Sequence, residues 1–170
     1  LIAYTILDPV IRRDTTGVLM KHREPDNVSI DYAARRKTAM AACEELGLDT
    51  VLVFALGSCP GFNTLAQGYM SFLSGWDAID SPSVLVLGAA RRPWLLVASH
   101  HKWMMASETV EDVDIEWADT AQFAAKIAAA VARDDADGTP IGVCGWDEMP
   151  AGTWREIEAV LANGVGPDSQ

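Results

Sequence analysis

The sequence predicts an α/β fold, a three-layer sandwich in which helices cover both faces of a mixed β-sheet. Three observations point there. The short apolar, β-branched runs TVLVFAL (50–56), SVLVLG (83–88) and IGVCGW (141–146) have the length and composition of buried strands. Segments with apolar residues at helical spacing lie between them, most clearly TAQFAAKIAAAVARD (120–134). SVLVLG and WLLVAS (94–99) are separated only by AARRP, which reads as an antiparallel hairpin set inside an otherwise alternating α/β order.

In chain order, residues 1–29 open apolar (LIAYTIL) and turn polar, and 12–28 read as an arm or loop. Ser29 is placed to cap a helix from about Ile30 to Leu46, with Ala33, Met40 and Cys43 on its inner face, Arg35, Arg36 and Lys37 mostly off it, and Gly47 as its C′ residue. TVLVFAL follows as a strand, then the turn-rich loop GSCPGFN (57–63) and a short helix through Phe72. After the hairpin, HKWMMASE (101–108) reads as a helical turn or two and DIEW (114–117) as a strand. The helix over 120–134 presents Phe123, Ile127, Ala130 and Val131 on one side; IGVCGW is the last strand, and Pro150 suits the first turn of a helix ending near Leu161. The domain is therefore expected over 30–162, with 1–29 an arm and 163–170 a linker or frayed tail.

Composition narrows the partners. The 170 residues suit one domain, and 49% of them are apolar, enough for a real core. Thirteen Lys and Arg against 24 Asp and Glu make a strongly acidic chain, which argues against nucleic acid as a partner. The most apolar region, 84–98, is broken by Arg91, Arg92 and Pro93, so no membrane span is expected. Three scattered cysteines, Cys43, Cys59 and Cys144, read as reduced thiols of a cytoplasmic protein. The start at Leu1 rather than Met suggests a fragment or trimmed product of a longer chain.

Four local patterns invite chemistry. Gly57-Ser58-Cys59-Pro60-Gly61 resembles a nucleophile elbow, with His100 or His101 as base, and makes a cysteine hydrolase one alternative. Pro60 opposes it, because the oxyanion hole of such an elbow uses the N–H of the residue after the nucleophile, and proline has none. His100-His101 lacks the spacing that converges on one metal ion. Asp134-Asp135-Ala-Asp137-Gly138 fails as a calcium loop, because Arg133 and Cys144 stand where acids are needed. The acids Glu108, Glu111, Asp112, Asp114 and Glu116 read as a solvated face. Among six tryptophans, Trp76 and Trp103 sit in or beside loops near the hairpin, where an indole commonly walls a pocket or an interface.

The stretch DYAARRKTAMAACEELGLDTVLVF (31–54) resembles the opening of the creatinase/prolidase N-terminal domain, which precedes the catalytic domain of Xaa-Pro aminopeptidases, prolidases and creatinases. Phe72-Leu73-Ser74-Gly75-Trp76 resembles that family's Leu-[Thr/Ser]-Gly-[Phe/Trp] segment, with Tyr69 where the family usually has Asn. The hairpin and IGVCGW are similar to its later strands, and the resemblance spans about 31–162. It implies a ribonuclease H-like sheet and a domain with no catalytic residue of its own. It implies two divalent metal ions in an absent catalytic domain, and none in this segment. The implied partners are that domain, a second subunit in a homodimer, and a peptide or small-molecule substrate. The implied role is metallopeptidase-type hydrolase assembly and the walling of a neighbouring subunit's active site. Carried onto this sequence, that role falls on Trp76 at the rim, Asp77 and Asp80 toward a cationic substrate, and Trp103. A standalone binding or scaffold module is the remaining alternative.

Overall fold

The computed structural model describes residues 30–57, 65–77, 81–88, 91–132, 140–146 and 149–163. The expected arm (1–29), Cys59 and its loop, Asp80, the acidic turn after residue 132 and the tail from 164 lie outside the described residues.

The elements run α1 (Tyr32–Glu44), β1 (Thr50–Leu56), α2 (Leu65–Ser74), β2 (Pro82–Gly88), β3 (Trp94–Val97), α3 (His100–Thr109), β4 (Asp114–Trp117), α4 (Thr120–Ala132), β5 (Ile141–Cys144) and α5 (Ala151–Asn163). They build one five-stranded mixed sheet in the order β4-β3-β2-β1-β5. β1, β2 and β3 form an antiparallel meander, and β5 and β4 flank it in parallel to β1 and β3. The expected hairpin is β2–β3, with Val84 opposite Leu96.

The period of two along the strands divides the core between two faces. Val51, Val53, Ala55, Leu85, Leu87, Leu95 and Val97 pack under α1, α2 and α3 with Met40, Met70 and Leu73. Leu52, Phe54, Val84, Val86 and Leu96 pack on the other face with Phe123, Ile127, Val131, Trp154 and Ile157 from α4 and α5. Helices on both faces make the three layers. Each fully buried aliphatic or aromatic side chain adds roughly 1.5–3 kcal/mol.

The ends of α1 follow local chemistry, with one change from expectation. Asp31, not Ser29, is the cap: its carboxylate accepts the Ala34 N–H at 2.8 Å. At the other end Gly47 donates to Glu44 O and Leu48 to Cys43 O, the bond pair of a Schellman ending, with Gly47 at φ +73° as the left-handed residue. The buried stripe of α1 is Arg36, Met40 and Cys43, spaced i, i+4, i+7, while Ala33 is exposed. A charged side chain thus occupies the inner position that the apolar pattern alone assigned to Ala33.

Helix α3 is longer than a turn or two: it holds ten residues, begins at His100 and is capped by Ser99, whose Oγ accepts the Lys102 N–H at 3.2 Å. α2 runs to Ser74, two residues past the expected Phe72.

Candidate functional site

The two stretches that carry the family resemblance meet in space. Arg35 donates to Phe72 O and Arg36 to Leu73 O, each at 3.1 Å. These carbonyls belong to the last turn of α2, where a helix has no internal donors left to offer. A cation at a helix C-terminus is favoured by the dipole as well. The Arg35 guanidinium also lies 4.4 Å over the Phe72 ring. Gly75 follows at φ +74°, and a Cβ there would stand 2.8 Å from Tyr32 Cζ. The bend therefore needs glycine twice over, for its left-handed backbone and for the tyrosine packed against it.

Arg36 is only 5% exposed. Burial pushes its guanidinium below its ordinary pKa, and the nearby Asp112 and Asp31 carboxylates partly offset that. Its second contact is Asp112 O at 3.5 Å, on a residue held at φ +56°. Beside this pair a cleft of about 520 Å³ runs between α1 and the β2–β3 end of the sheet, lined by Arg36, Lys37, Met40, Glu44, Leu87 and Asp112. Sequence reasoning missed it. The available signal was Arg36 itself, a charge in phase with Met40 and Cys43.

Trp76 corrects an expectation. It is 3% exposed rather than at a rim, and its Nε1 donates to the buried Ser83 Oγ on β2 at 3.0 Å. An indole with an internal partner for its one polar atom is fully satisfied as a core residue. Its backbone is fixed too: Trp76 N–H donates to Ser74 Oγ at 3.1 Å, and Ser71 Oγ donates to Trp76 O at 3.2 Å. Trp76 is thus the anchor that places the exposed Asp77. Tyr69 and Phe72 are half-buried against the same core in which Leu73 is fully buried.

Trp103 lies on α3, within the stretch 101–108 that reads as helical, and is half-buried. It stacks on His100 at 5.3 Å, and His100 meets Trp117 edge-on at 5.6 Å. Met104, Met105 and Trp117 are exposed beside it in the sequence and on the neighbouring strand. Trp76 and Trp103 accordingly share the α1–α3 side of the sheet, while Asp77, next to Trp76, and part of Trp103 reach solvent.

Glu108, Glu111, Asp112, Asp114 and Glu116 are all exposed, as a solvated face requires, and the two acids of β4 also find partners. Asp114 pairs with Arg92 at 3.2 Å, and Glu116 accepts from Trp94 Nε1 at 3.3 Å and pairs with Lys126. Cys43 and Cys144 are both buried, and burial, helped by Glu44, pushes the Cys43 thiol up to about 11. A thiol so protonated at neutral pH is a poor nucleophile. Among the described residues no group of three His, Cys, Asp or Glu is placed to hold a metal ion. No helix among them is long and apolar enough to cross a membrane.

No family model matches the chain, and no curated protein does. Solved structures do. The creatinase/prolidase-like N-terminal domain of a Corynebacterium diphtheriae protein superposes with a TM-score of 0.55 at 15% identity, over 75% of this chain and 86% of that one. A proline dipeptidase from Streptococcus pneumoniae gives 0.56 at 17% identity, over 75% and 85%. The Xaa-Pro dipeptidase from Bacillus anthracis gives 0.55 at 12% identity, over 76% of this chain but 31% of that one. The chain therefore has the creatinase/prolidase N-terminal fold, as its motifs suggested. In the third case that fold is less than a third of the molecule.

Proposed function

We propose that this chain is the non-catalytic N-terminal domain of a metal-dependent hydrolase of the Xaa-Pro dipeptidase type. The observation that supports this best is the fold shared with the Corynebacterium diphtheriae N-terminal domain and the Streptococcus pneumoniae proline dipeptidase over three quarters of the chain. The Arg35/Arg36 contact to the Phe72–Trp76 bend adds to it, because it joins the two segments that carry the resemblance. In this reading the two metal ions sit in a separate catalytic domain. This domain's task is to assemble subunits and to wall the substrate pocket of a neighbour.

The bend after α2 is the part suited to the second task. Trp76 anchors it from inside, and Asp77 presents a carboxylate outward, with Asp80 three residues on. A carboxylate there would meet the cationic amine of a peptide or small C–N substrate. For assembly, the exposed part of Trp103 with Met104, Met105 and Trp117 is the apolar surface that a second subunit or the catalytic domain would cover.

The test is the intact mass of the native gene product. A mass well above the 18.3 kDa of these residues, with a downstream domain bearing two Asp, one His and two Glu, is expected. A native product of 18.3 kDa would overturn the reading and favour a standalone binding module. In the full protein, Asp77→Asn should raise KM for an amine-bearing substrate and leave the melting temperature unchanged.

A further inference from the structure

The cleft beside Arg36 has a lining that changes along its length. Ala33, Arg36, Lys37, Met40, Ala41 and Glu44 are spaced i, i+3, i+4, i+7, i+8 and i+11. One face of α1 therefore forms one wall for about three turns, roughly 16 Å. Leu87, Gly88 and Pro93 line it from the sheet side. The lining is cationic at Arg36 and Lys37, apolar at Met40, Ala41 and Leu87, and acidic at Glu44.

Arg36 is the unusual member. It is buried, and among the described residues no carboxylate is in ion-pair contact with it. Its hydrogen bonds go to two backbone carbonyls, from Nη1 to Leu73 O and from Nη2 to Asp112 O. A guanidinium has five N–H groups to place. Asp112 and Asp31 act on it only through space, and Arg92 acts against it. A buried charge is costly to leave without a counter-ion. Among the described residues Ser81 Oγ is the sole side-chain polar atom both sealed from solvent and without a partner. Arg36 Nε, which bonds neither carbonyl, is therefore reachable, and the space that Arg36 borders is the cleft.

We propose that this cleft binds a small monocarboxylate with an apolar body, its carboxylate on Arg36 and Lys37 and its hydrocarbon on Met40, Ala41 and Leu87. Guanidinium and carboxylate are matched in shape as well as charge. The cleft volume of about 520 Å³ falls among ligand pockets, which run from about 300 to 1,000 Å³. The acids decide how many charges the ligand carries. Glu44 closes the far end, Asp112 stands beside Arg36, and the chain has a net charge of −11. One carboxylate is compensated by the two cations; a second would meet Glu44 and be repelled. The lining residues all belong to this chain, so the site needs neither a second subunit nor a catalytic domain.

The experiment titrates hexanoate, adipate and hexylamine into the 170-residue chain and follows backbone amide shifts by NMR. Hexanoate is expected to bind with a dissociation constant of about 1 mM or lower, with the largest shifts at residues 33–44, Leu87 and Gly88. Adipate adds a second carboxylate to the same six carbons, and hexylamine reverses the charge. Each should bind at least about tenfold more weakly than hexanoate. Two variants at exposed helix positions test the placement. Ala41→Trp fills the cleft and should abolish binding. Ala33→Glu sets a carboxylate one turn before Arg36 on the same face, and should weaken hexanoate at least about tenfold by taking its place. No hexanoate binding at 10 mM, about ten times the expected constant, overturns the proposal. So do equal affinity for hexylamine or adipate, and shifts centred away from the cleft. Should Ala41→Trp fail to fold, Ala33→Glu decides: undiminished hexanoate affinity in that variant overturns the proposal equally.

Discussion

The α1–α2 junction and the β4 edge use the same kinds of residue in opposite ways. At the junction an arginine is buried and the neighbouring tryptophan with it: Arg36 is 5% and Trp76 3% exposed. At the edge a tryptophan stands in solvent, with Trp117 at 43%, and a lysine lies along a strand. Residue type sets the cost of burial; the partner on offer decides whether that cost is met. The last turn of α2 offers carbonyls with no other donor, so a guanidinium goes inside. The edge strand offers Ile115 O and Trp117 O, which face water, so the half-buried Trp103 indole and the Lys126 ammonium group cover them from outside.

The sharpest way to break this comparison is to remove the buried cation. Arg36→Met should cost about 3 kcal/mol in urea unfolding, because Leu73 O and Asp112 O lose their donor in a site closed to water. A loss below about 1 kcal/mol would mean that water reaches those carbonyls and that the junction is not the closed region described here. Next in size is Gly75→Ala, expected to cost about 2 kcal/mol from left-handed backbone and the contact with Tyr32 together. In a Tyr32→Ala background the same change should cost about half as much, and a double-mutant cycle separates the two contributions. Trp76→Phe should cost about 1 kcal/mol through the lost bond to Ser83, and no more once Ser83 is Ala. The smallest effect belongs to the edge. Trp117→Ser should leave the melting temperature of the isolated chain within the range of ordinary surface changes, about 0.5 kcal/mol.

Much of the fold was legible because its signals are local. The strand runs 50–56 and 83–88, the last strand from Ile141 (which ends at Cys144, two residues short of the 141–146 the sequence suggests), the α4 face Phe123–Ile127–Ala130–Val131, the hairpin and the Gly47 ending all rest on periodicity or on one residue's backbone freedom. The site was less legible. Trp76 was placed at the rim because it follows Gly75 in a turn, yet its indole turns inward to a serine seven residues on. Arg36 was set off the core face because it is charged, and its partners lie 37 and 76 residues away. Trp103 was legible as part of a helical segment, but the length of that helix was not, because it is short and weakly patterned.

By itself, then, the sequence determined the α/β alternation, the antiparallel pair at the centre and the positions where chain direction changes. Those depend on side-chain period, β-branching and glycine, all readable within a few neighbours. Only the tertiary structure decided that the Asp31–Arg36 and Phe72–Trp76 segments lock together, that β4 lies at a sheet edge among the described residues, and that Trp103 and Lys126 reach its carbonyls. Those outcomes depend on which unsatisfied carbonyl comes within about 3 Å of which donor. That pairing arises between residues far apart in the chain, and only after the layers have packed.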